Sequence, residues 1–278
     1  LEQAVPLRDG PAAELGVPPR EEVRRGAVGR GDGGGVQGAV ALAAAGREPG
    51  VMAEREQALA LRRGDIVSVN RRAVWINGIR QPSVFQGDPL REHLEELLPT
   101  EGWEALRIPL LINAVDLGSG QTEWFGPDVR TDVSLLDAVY ASAALPVFYP
   151  PFEHQGRAYV DGGVMRTLPV GRAEQAGAER IIAIDVGSSG PGDARQIIDG
   201  GMIAIHQRVV GLMAEARRHG RVAAWEGVPL LYVRPRLSGY GTFDFEHIEY
   251  FLAEGYRATC EALAEAAAAA GQERPPGT

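Results

Sequence analysis

Asp161 is the carboxylate around which this sequence is organised: a predicted helix, a proline turn and a short strand precede it, and two glycines follow it in the run Asp161-Gly162-Gly163. A carboxylate next to a hydroxyl can accept its proton and so activate it as a nucleophile. The glycines allow a sharp turn after the carboxylate, since glycine adopts positive φ without steric cost. By itself the tripeptide is better explained as a turn former, because Asp-Gly is a favoured hairpin dipeptide. The neighbouring elements must decide between the two interpretations.

Four glycines near the start of the chain, Gly33, Gly34, Gly35 and Gly38, lead into the alanine-rich stretch 36–45. Backbone amides in such a loop can turn toward an anion, and a helix N-terminus adds partial positive charge, so the loop could form an oxyanion hole. The same spacing fits a G-x-G-x-x-G dinucleotide site, but a strong preceding strand and an acidic residue at the end of a following strand are lacking. A flexible linker is the third interpretation. The oxyanion loop is favoured, and the other two stay open.

The elements that position Asp161 follow from periodicity and from proline. Apolar residues at helical spacing predict a helix from Leu135 that ends at Leu145-Pro146, because proline lacks an amide donor. A short strand over residues 157–160 then leads into the carboxylate. We therefore expect Asp161 at the edge of a sheet, with its backbone exposed.

This part of the chain resembles the patatin-like phospholipase family, in which a serine and an aspartate hydrolyse acyl esters of lipids. The resemblance runs from about Asp65 to Val186, through NAVDLGSGQTEWF, DAVYASAALPVFYPPF, GRAYVDGGVMRTLPV and GAERIIAIDV. A second patch, GDGGGVQGAV, resembles the glycine-rich oxyanion loop of the family. The resemblance implies no metal and no cofactor. The site residues that it implies are the catalytic Asp161, the motif glycines Gly162 and Gly163, and the oxyanion-hole glycines Gly33, Gly34, Gly35 and Gly38.

The sequence departs from the family at the nucleophile, which the family carries in a G-x-S-x-G elbow. No serine here has glycine at both the second position before it and the second position after it; Gly118-Ser119-Gly120 and Gly187-Ser188-Ser189-Gly190 come nearest. The residues between Ala45 and Ala53 are too few for a strand, elbow and helix, which need about 30 residues. The resemblance therefore predicts a patatin-like topology that lacks this unit after the glycine loop, and no serine-dependent esterase activity.

Three interpretations of function follow. In the first, the sequence is an incomplete form of a lipid acyl hydrolase of the phospholipase or lysophospholipase type. In the second, it is a non-catalytic descendant that binds lipids or another protein through the same cleft. In the third, the resemblance misleads, and Gly33 to Gly38 belong to a nucleotide-binding module.

The order of predicted elements indicates an α/β fold, with a mainly parallel sheet sandwiched by helices. Strands are predicted over 108–115, 180–186 and 228–233, the second as a buried core strand, and helices over 197–218 and 245–270. We expect a mobile leader at 1–25, a single patatin-like domain at 26–270, and a frayed tail at 271–278.

Two further carboxylates, Asp116 and Asp185, lie at the ends of predicted strands. Either could face a cleft, since α/β sheets bind ligands at the carboxyl ends of their strands. A carboxylate beside a turn more often accepts hydrogen bonds from the backbone of that turn. We predict that both are caps.

Composition limits the partners of the chain. A net charge of −9 argues against nucleic acid and against electrostatic capture by anionic lipid, since both require basic patches. The expected partner is a lipid or phospholipid ester, with peripheral membrane contact through apolar surface. The single cysteine, Cys260, excludes an internal disulfide and suits a cytoplasmic location. The five histidines show no metal-ligand spacing.

Overall fold

Four short strands form the sheet that carries Asp161. The computed structural model describes residues 51–69, 80–187 and 192–272. The four strands are β1 (Ile112–Asp116), β2 (Thr122–Phe125), β3 (Phe152–His154) and β4 (Arg157–Asp161). They lie in the order β2-β1-β4-β3, and each neighbouring pair is antiparallel. Two later strands, β5 (Ile181–Ile184) and β6 (Leu230–Val233), form a parallel pair.

The protein is α/β as expected, but the predicted mainly parallel sheet is only partly matched. Among the described strands, parallel pairing occurs between β5 and β6 alone. Short connections account for two of the antiparallel pairs, β1 with β2 and β3 with β4, because parallel strands need a crossover of about a dozen residues or more. Gln155 and Gly156, at φ 50° and 75°, make the tight turn between β3 and β4. Positive φ at both turn residues matches the twist of a two-residue hairpin.

The helices pack around these strands. Helix α4 contacts β1 and β4, and the C-terminal helix α8 contacts β6. The helices are α1 (Val51–Ala60), α2 (Arg63–Ile66), α3 (Asp88–Leu97), α4 (Leu135–Ala143), α5 (Val170–Gln175), α6 (Ala194–Asp199), α7 (Gly201–Ala223) and α8 (Ile248–Gln272).

Three helix boundaries show how the sequence sets these elements. Helix α4 begins after Ser134, whose Oγ accepts a hydrogen bond from the Asp137 amide at 3.0 Å, and it ends before Leu145-Pro146 as predicted. The single helix predicted over 197–218 is instead two, because Gly201, the first residue of α7, adopts φ +78°. The last helix starts at Ile248, later than predicted, because Asp244 caps a separate turn by accepting from the Glu246 amide.

The main core lies between the antiparallel sheet and α4. Tyr159, Phe125 and Val139 are almost completely buried there, and the rings of Phe125 and Tyr159 meet edge to face at 5.7 Å. Phe243 enters the same core from the segment before α8, with its ring 4.7 Å from that of Phe148. This contact fixes the segment before α8 to the body of the protein.

Strand β5 has one buried face and one exposed face, so the predicted buried core strand is only half correct. Ile181 and Ala183 pack in a second small core with Leu168. Ile182 and Ile184, which alternate with them, are 61% and 52% exposed.

Candidate functional site

Asp161 lies at the end of β4 and is buried, with 2% of its surface exposed. The predicted position at a sheet edge with exposed backbone is therefore wrong. Strand β4 lies between β1 and β3, and Asp161 pairs with Ala114 of β1. Its amide also donates to the carbonyl of Ala144 at 3.0 Å, which fixes the carboxylate beside the C-terminal end of α4.

The turn after Asp161 orients its side chain. Oδ1 accepts a hydrogen bond from the Gly163 amide at 2.6 Å, and this bond caps a 3₁₀ turn over Gly162–Val164. The same turn therefore reverses the chain and orients the carboxylate of Asp161. Both of its glycines are buried.

Gly162 is required by close packing. A Cβ at this position would lie 2.3 Å from both the backbone carbonyl oxygen and the side-chain nitrogen of Asn113, a buried residue of β1. The φ of Gly162 is not positive, so space rather than backbone conformation demands glycine. Asn113 Nδ2 donates to the carbonyl of Arg166 at 3.3 Å, and this bond further ties the turn to β1.

A cavity of about 700 Å³ opens beside the carboxylate, and Asp161 forms part of its wall. Its walls come from α2, α3, the end of α4, the end of β5, the segment 235–245 and α8. Most of the lining is apolar. It includes Leu90, Leu145, Ile184, Phe243 and Phe251. Cavities of this size with few polar groups suit small-molecule ligands that are largely apolar.

Sequence reasoning missed the segment 235–245, which supplies one wall of the cavity. It contains the run LSGYGTFDF, in which glycines alternate with aromatic residues. Gly239 adopts φ +96°, and Phe243 anchors the segment in the main core. The close spacing of aromatic residues and glycines was the available signal for a loop that packs on a core.

The predicted site residues are only partly brought together by the described structure. Asp161, Gly162 and Gly163 are adjacent at the cavity. Gly33, Gly34, Gly35 and Gly38 lie outside the described residues, and so do Ser188, Ser189 and the leader at 1–25. Ser142 is fully buried within α4.

Asp116 is a cap, as predicted. Its Oδ1 accepts from the Gly118 amide at 2.9 Å and its Oδ2 accepts from the Ser119 hydroxyl at 3.0 Å, while Arg157 lies 3.7 Å away. These hydrogen bonds, the Gly118 amide foremost, hold the pKa of the Asp116 carboxyl below its usual range. This contribution to stability is present above the pKa of the unfolded chain and is lost as pH falls through the lower folded pKa.

We expect Ser119→Ala to raise the pKa of Asp116, because the charged carboxylate loses one of its donors. A carboxyl-carbon NMR titration measures this shift directly. Thr122→Ala, in the neighbouring strand β2, is the control and should leave the titration unchanged. An unchanged Asp116 titration in Ser119→Ala would contradict the assigned hydrogen bond.

The described residues contain no group of three His, Cys, Asp or Glu side chains placed to hold a metal ion. Nor do they include a helix with the length and apolar character needed to cross a membrane.

The known proteins that this chain resembles carry NTE-family, patatin-like phospholipase or lysophospholipase names. The chain is 29% identical over 119 residues to an uncharacterized NTE family protein of Mycobacterium tuberculosis, a match covering 42% of this chain and 31% of that protein. It is 25% identical over 195 residues to patatin-like phospholipase domain-containing protein 7 of Mus musculus, covering 63% of this chain and 14% of that protein. It is 28% identical over 136 residues to lysophospholipase NTE1 of Meyerozyma guilliermondii, covering 42% and 10%. The chain thus spans less than a third of each of these relatives.

Among solved structures, VipD from Legionella pneumophila aligns with 64% of this chain and 34% of its own, at 18% identity and a TM-score of 0.35. A model of the family described as Patatin-like phospholipase matches residues 33–173, just over half of the chain. That match includes the glycine loop as well as Asp161, Gly162 and Gly163. The chain therefore belongs to the patatin-like phospholipase family.

Proposed function

We propose that this chain binds the acyl chain of a lipid in the cavity beside Asp161, and that it does not hydrolyse lipid esters through a serine–aspartate dyad. The observation that carries the proposal is the position of Asp161 on the wall of an apolar cavity of about 700 Å³. An acyl chain would lie against Leu90, Leu145 and Phe251, with the polar end of the lipid toward the carboxylate. Burial of methylene groups supplies the binding free energy.

The proposed lack of hydrolysis rests on the sequence. A dyad needs a hydroxyl within hydrogen-bond reach of the carboxylate, about 2.6–3.2 Å. In the family that hydroxyl belongs to a G-x-S-x-G elbow, and none of the eight serines in this chain has that context. The sequence therefore retains the aspartate of the family motif but has no serine in the elbow context. The oxyanion role of Gly33, Gly34, Gly35 and Gly38 stays a prediction.

A form of this protein with a strand, elbow and helix inserted between Ala45 and Ala53 would regain the nucleophile, and the same cavity would then hold the substrate of a lipid acyl hydrolase. The nucleotide-binding alternative is disfavoured, because the family match begins at Gly33 and so includes the glycine loop. Since fungal relatives are named lysophospholipases, a single-chain phospholipid is the ligand chosen for the test.

Acyl binding is tested by displacing a dansyl-labelled fatty acid with lysophosphatidylcholine. We expect the fluorescent probe to bind, the lysophospholipid to displace it, and Gly255→Leu to weaken both by about tenfold or more, because the new side chain occupies apolar ligand space. A Cβ at Gly255, on α8, meets no atom within 4 Å, so the new side chain starts from open space beside the cavity. The matched control is Gly220→Leu on α7, which also has open space but does not line the cavity. Equal affinity in the two variants would overturn the acyl site.

The second half of the proposal needs a separate measurement. We expect a fluorophosphonate probe to label no serine, and Asp161→Asn to leave any background ester turnover unchanged. Labelling of one serine, together with loss of turnover in Asp161→Asn, would show that the chain is a working hydrolase.

A further inference from the structure

The buried and exposed sides of helix α7 have the opposite composition to those of an ordinary surface helix. The side that packs against the protein carries small or polar residues, and these are Ala204, Gln207, Gly211, Ala214 and Arg218. A surface helix normally buries its large apolar side chains and exposes the rest. Here the large apolar side chains of α7 lie mostly on the opposite, exposed side.

The exposed apolar side chains of α7 lie along one face of the helix, and Ile198 of the preceding helix α6 is exposed as well. Met202 and Ile198 are 72% and 65% exposed. Spacings of three and four residues along α7 place its exposed apolar side chains on one face. We call this the α6–α7 apolar surface, and it consists of Ile198, Met202, Ile205, Val209, Leu212 and Met213. Exposed apolar patches of this kind mark interaction sites with proteins or membranes.

The charge around this surface is opposite in sign to that of the whole protein. Apart from Arg218, which is buried and paired with Asp185, helices α6 and α7 contain four arginines and two acidic residues, a net charge of +2, in a chain whose net charge is −9. Arg195, Arg217 and Arg221 are exposed. Of the two acids, Glu215 lies 3.1 Å from Arg234, which offsets its charge. The surface is therefore both apolar and locally basic.

We propose that the α6–α7 apolar surface docks this protein onto an anionic lipid bilayer. An apolar stripe flanked by arginines has the composition of a helix that lies in the membrane interface, with its apolar side chains among the acyl chains and its cations at the headgroups. A second copy of the chain fits less well, because two surfaces of net positive charge would repel each other. The net charge of the whole chain, which argued against electrostatic capture by anionic lipid, conceals this local excess of arginine.

The position of α7 gives the docking a consequence for the site. Helix α7 contacts the 3₁₀ turn Gly162–Val164 that orients Asp161, and Val210 packs against the main core. A bilayer bound to α7 would therefore hold the Asp161 turn one helix away from the lipid surface. The docking inference does not depend on acyl binding, because none of the residues that define the apolar surface lines the cavity.

The experiment is flotation of the full chain with vesicles of phosphatidylcholine alone and of phosphatidylcholine with 30% phosphatidylglycerol. We expect flotation with the anionic vesicles and little with the neutral ones. Met202→Glu with Met213→Glu should lower the floated fraction about tenfold or more, and Arg217→Gln with Arg221→Gln should lower it about fivefold or more. Leu117→Glu is the matched control, because Leu117 is 56% exposed in the turn after β1, and its flotation should equal that of the unaltered chain.

A second measurement does not rely on loss of binding. In Met213→Trp, we expect the added indole emission to shift to the blue with anionic vesicles and to be quenched by brominated lipid. Absence of flotation by the unaltered chain would overturn the proposal, and so would equal flotation of the Met202→Glu, Met213→Glu variant and the Leu117→Glu control. If the unaltered chain formed a concentration-dependent dimer, and the double variant Met202→Glu, Met213→Glu did not, the surface would instead be assigned to a second copy of the chain.

Discussion

Replacing Arg218 with methionine is expected to lower the free energy of unfolding by about 3–5 kcal/mol, because it leaves the Asp185 carboxylate buried without its cation. Arg218 Nε lies 3.1 Å from Asp185 Oδ2, and the two side chains are 4% and 2% exposed. A charge at that depth keeps little hydration, so its free energy depends on the partner that faces it. Urea denaturation at pH 7 measures the effect.

The groups around Asp185 and Arg218 hold both side chains in place. Asp185 Oδ1 accepts from the Gly187 amide at 3.0 Å, as predicted of a cap, and Oδ2 accepts from the Tyr232 hydroxyl at 2.7 Å. Burial, and after it the hydrogen bond to Asp185, raises the pKa of Tyr232. A Cβ at Gly187 would lie 2.3 Å from the Arg218 guanidinium, so the backbone lies directly against the cation. The pair therefore fastens α7 to the end of β5.

Two variants isolate the charge effect. Arg217→Met changes the exposed neighbour on the same helix, and we expect a change within about 0.5 kcal/mol. Asp185→Asn in the Arg218→Met background should recover part of the loss, because the amide is neutral and still accepts hydrogen bonds. Equal destabilisation by Arg218→Met and Arg217→Met would show that the buried pair is not important for stability.

The local structure around Asp161 was predictable from sequence because it depends on nearby residues. Leu145-Pro146 ends α4, Asp161-Gly162 makes the turn, and Asp116 caps the β1 turn, each through contacts within a few positions. Proline geometry, glycine conformation and side-chain capping act over such distances, so a single sequence reveals them.

The longer-range features could not be predicted in this way. The burial of Asp161 depends on β4 lying between β1 and β3, and strand order is not written in local periodicity. The cavity joins the end of α4 to α8, about a hundred residues later in the chain. The large apolar side chains of α7 would ordinarily be expected on its buried side, but Gln207 and Arg218 lie there instead.

Gly162→Ala is expected to destabilise the protein by roughly 2–3 kcal/mol and to move the Asp161 carboxylate, because overpacking a filled site forces the backbone to shift. The added Cβ would lie 2.3 Å from two atoms of Asn113, one of them the backbone carbonyl oxygen of a buried strand. Urea denaturation measures stability, and affinity for the dansyl fatty acid reports on the cavity wall. Gly220→Ala, which has open space on α7, is the control and should be neutral or slightly stabilising.

The two contacts at Gly162 can be separated. Combining Asn113→Ala with Gly162→Ala removes the clash with the side-chain nitrogen but leaves the clash with the carbonyl oxygen. We therefore expect the double variant to be destabilised by nearly the sum of the two single variants. Full recovery would mean that the side chain made the only tight contact. If Gly162→Ala alone matched the unaltered protein in stability and probe affinity, strand β1 would have to shift away from the added Cβ without loss of stability. The position of Asp161 at the cavity would then depend on its bonds to Gly163 and Ala144 and not on packing against Asn113.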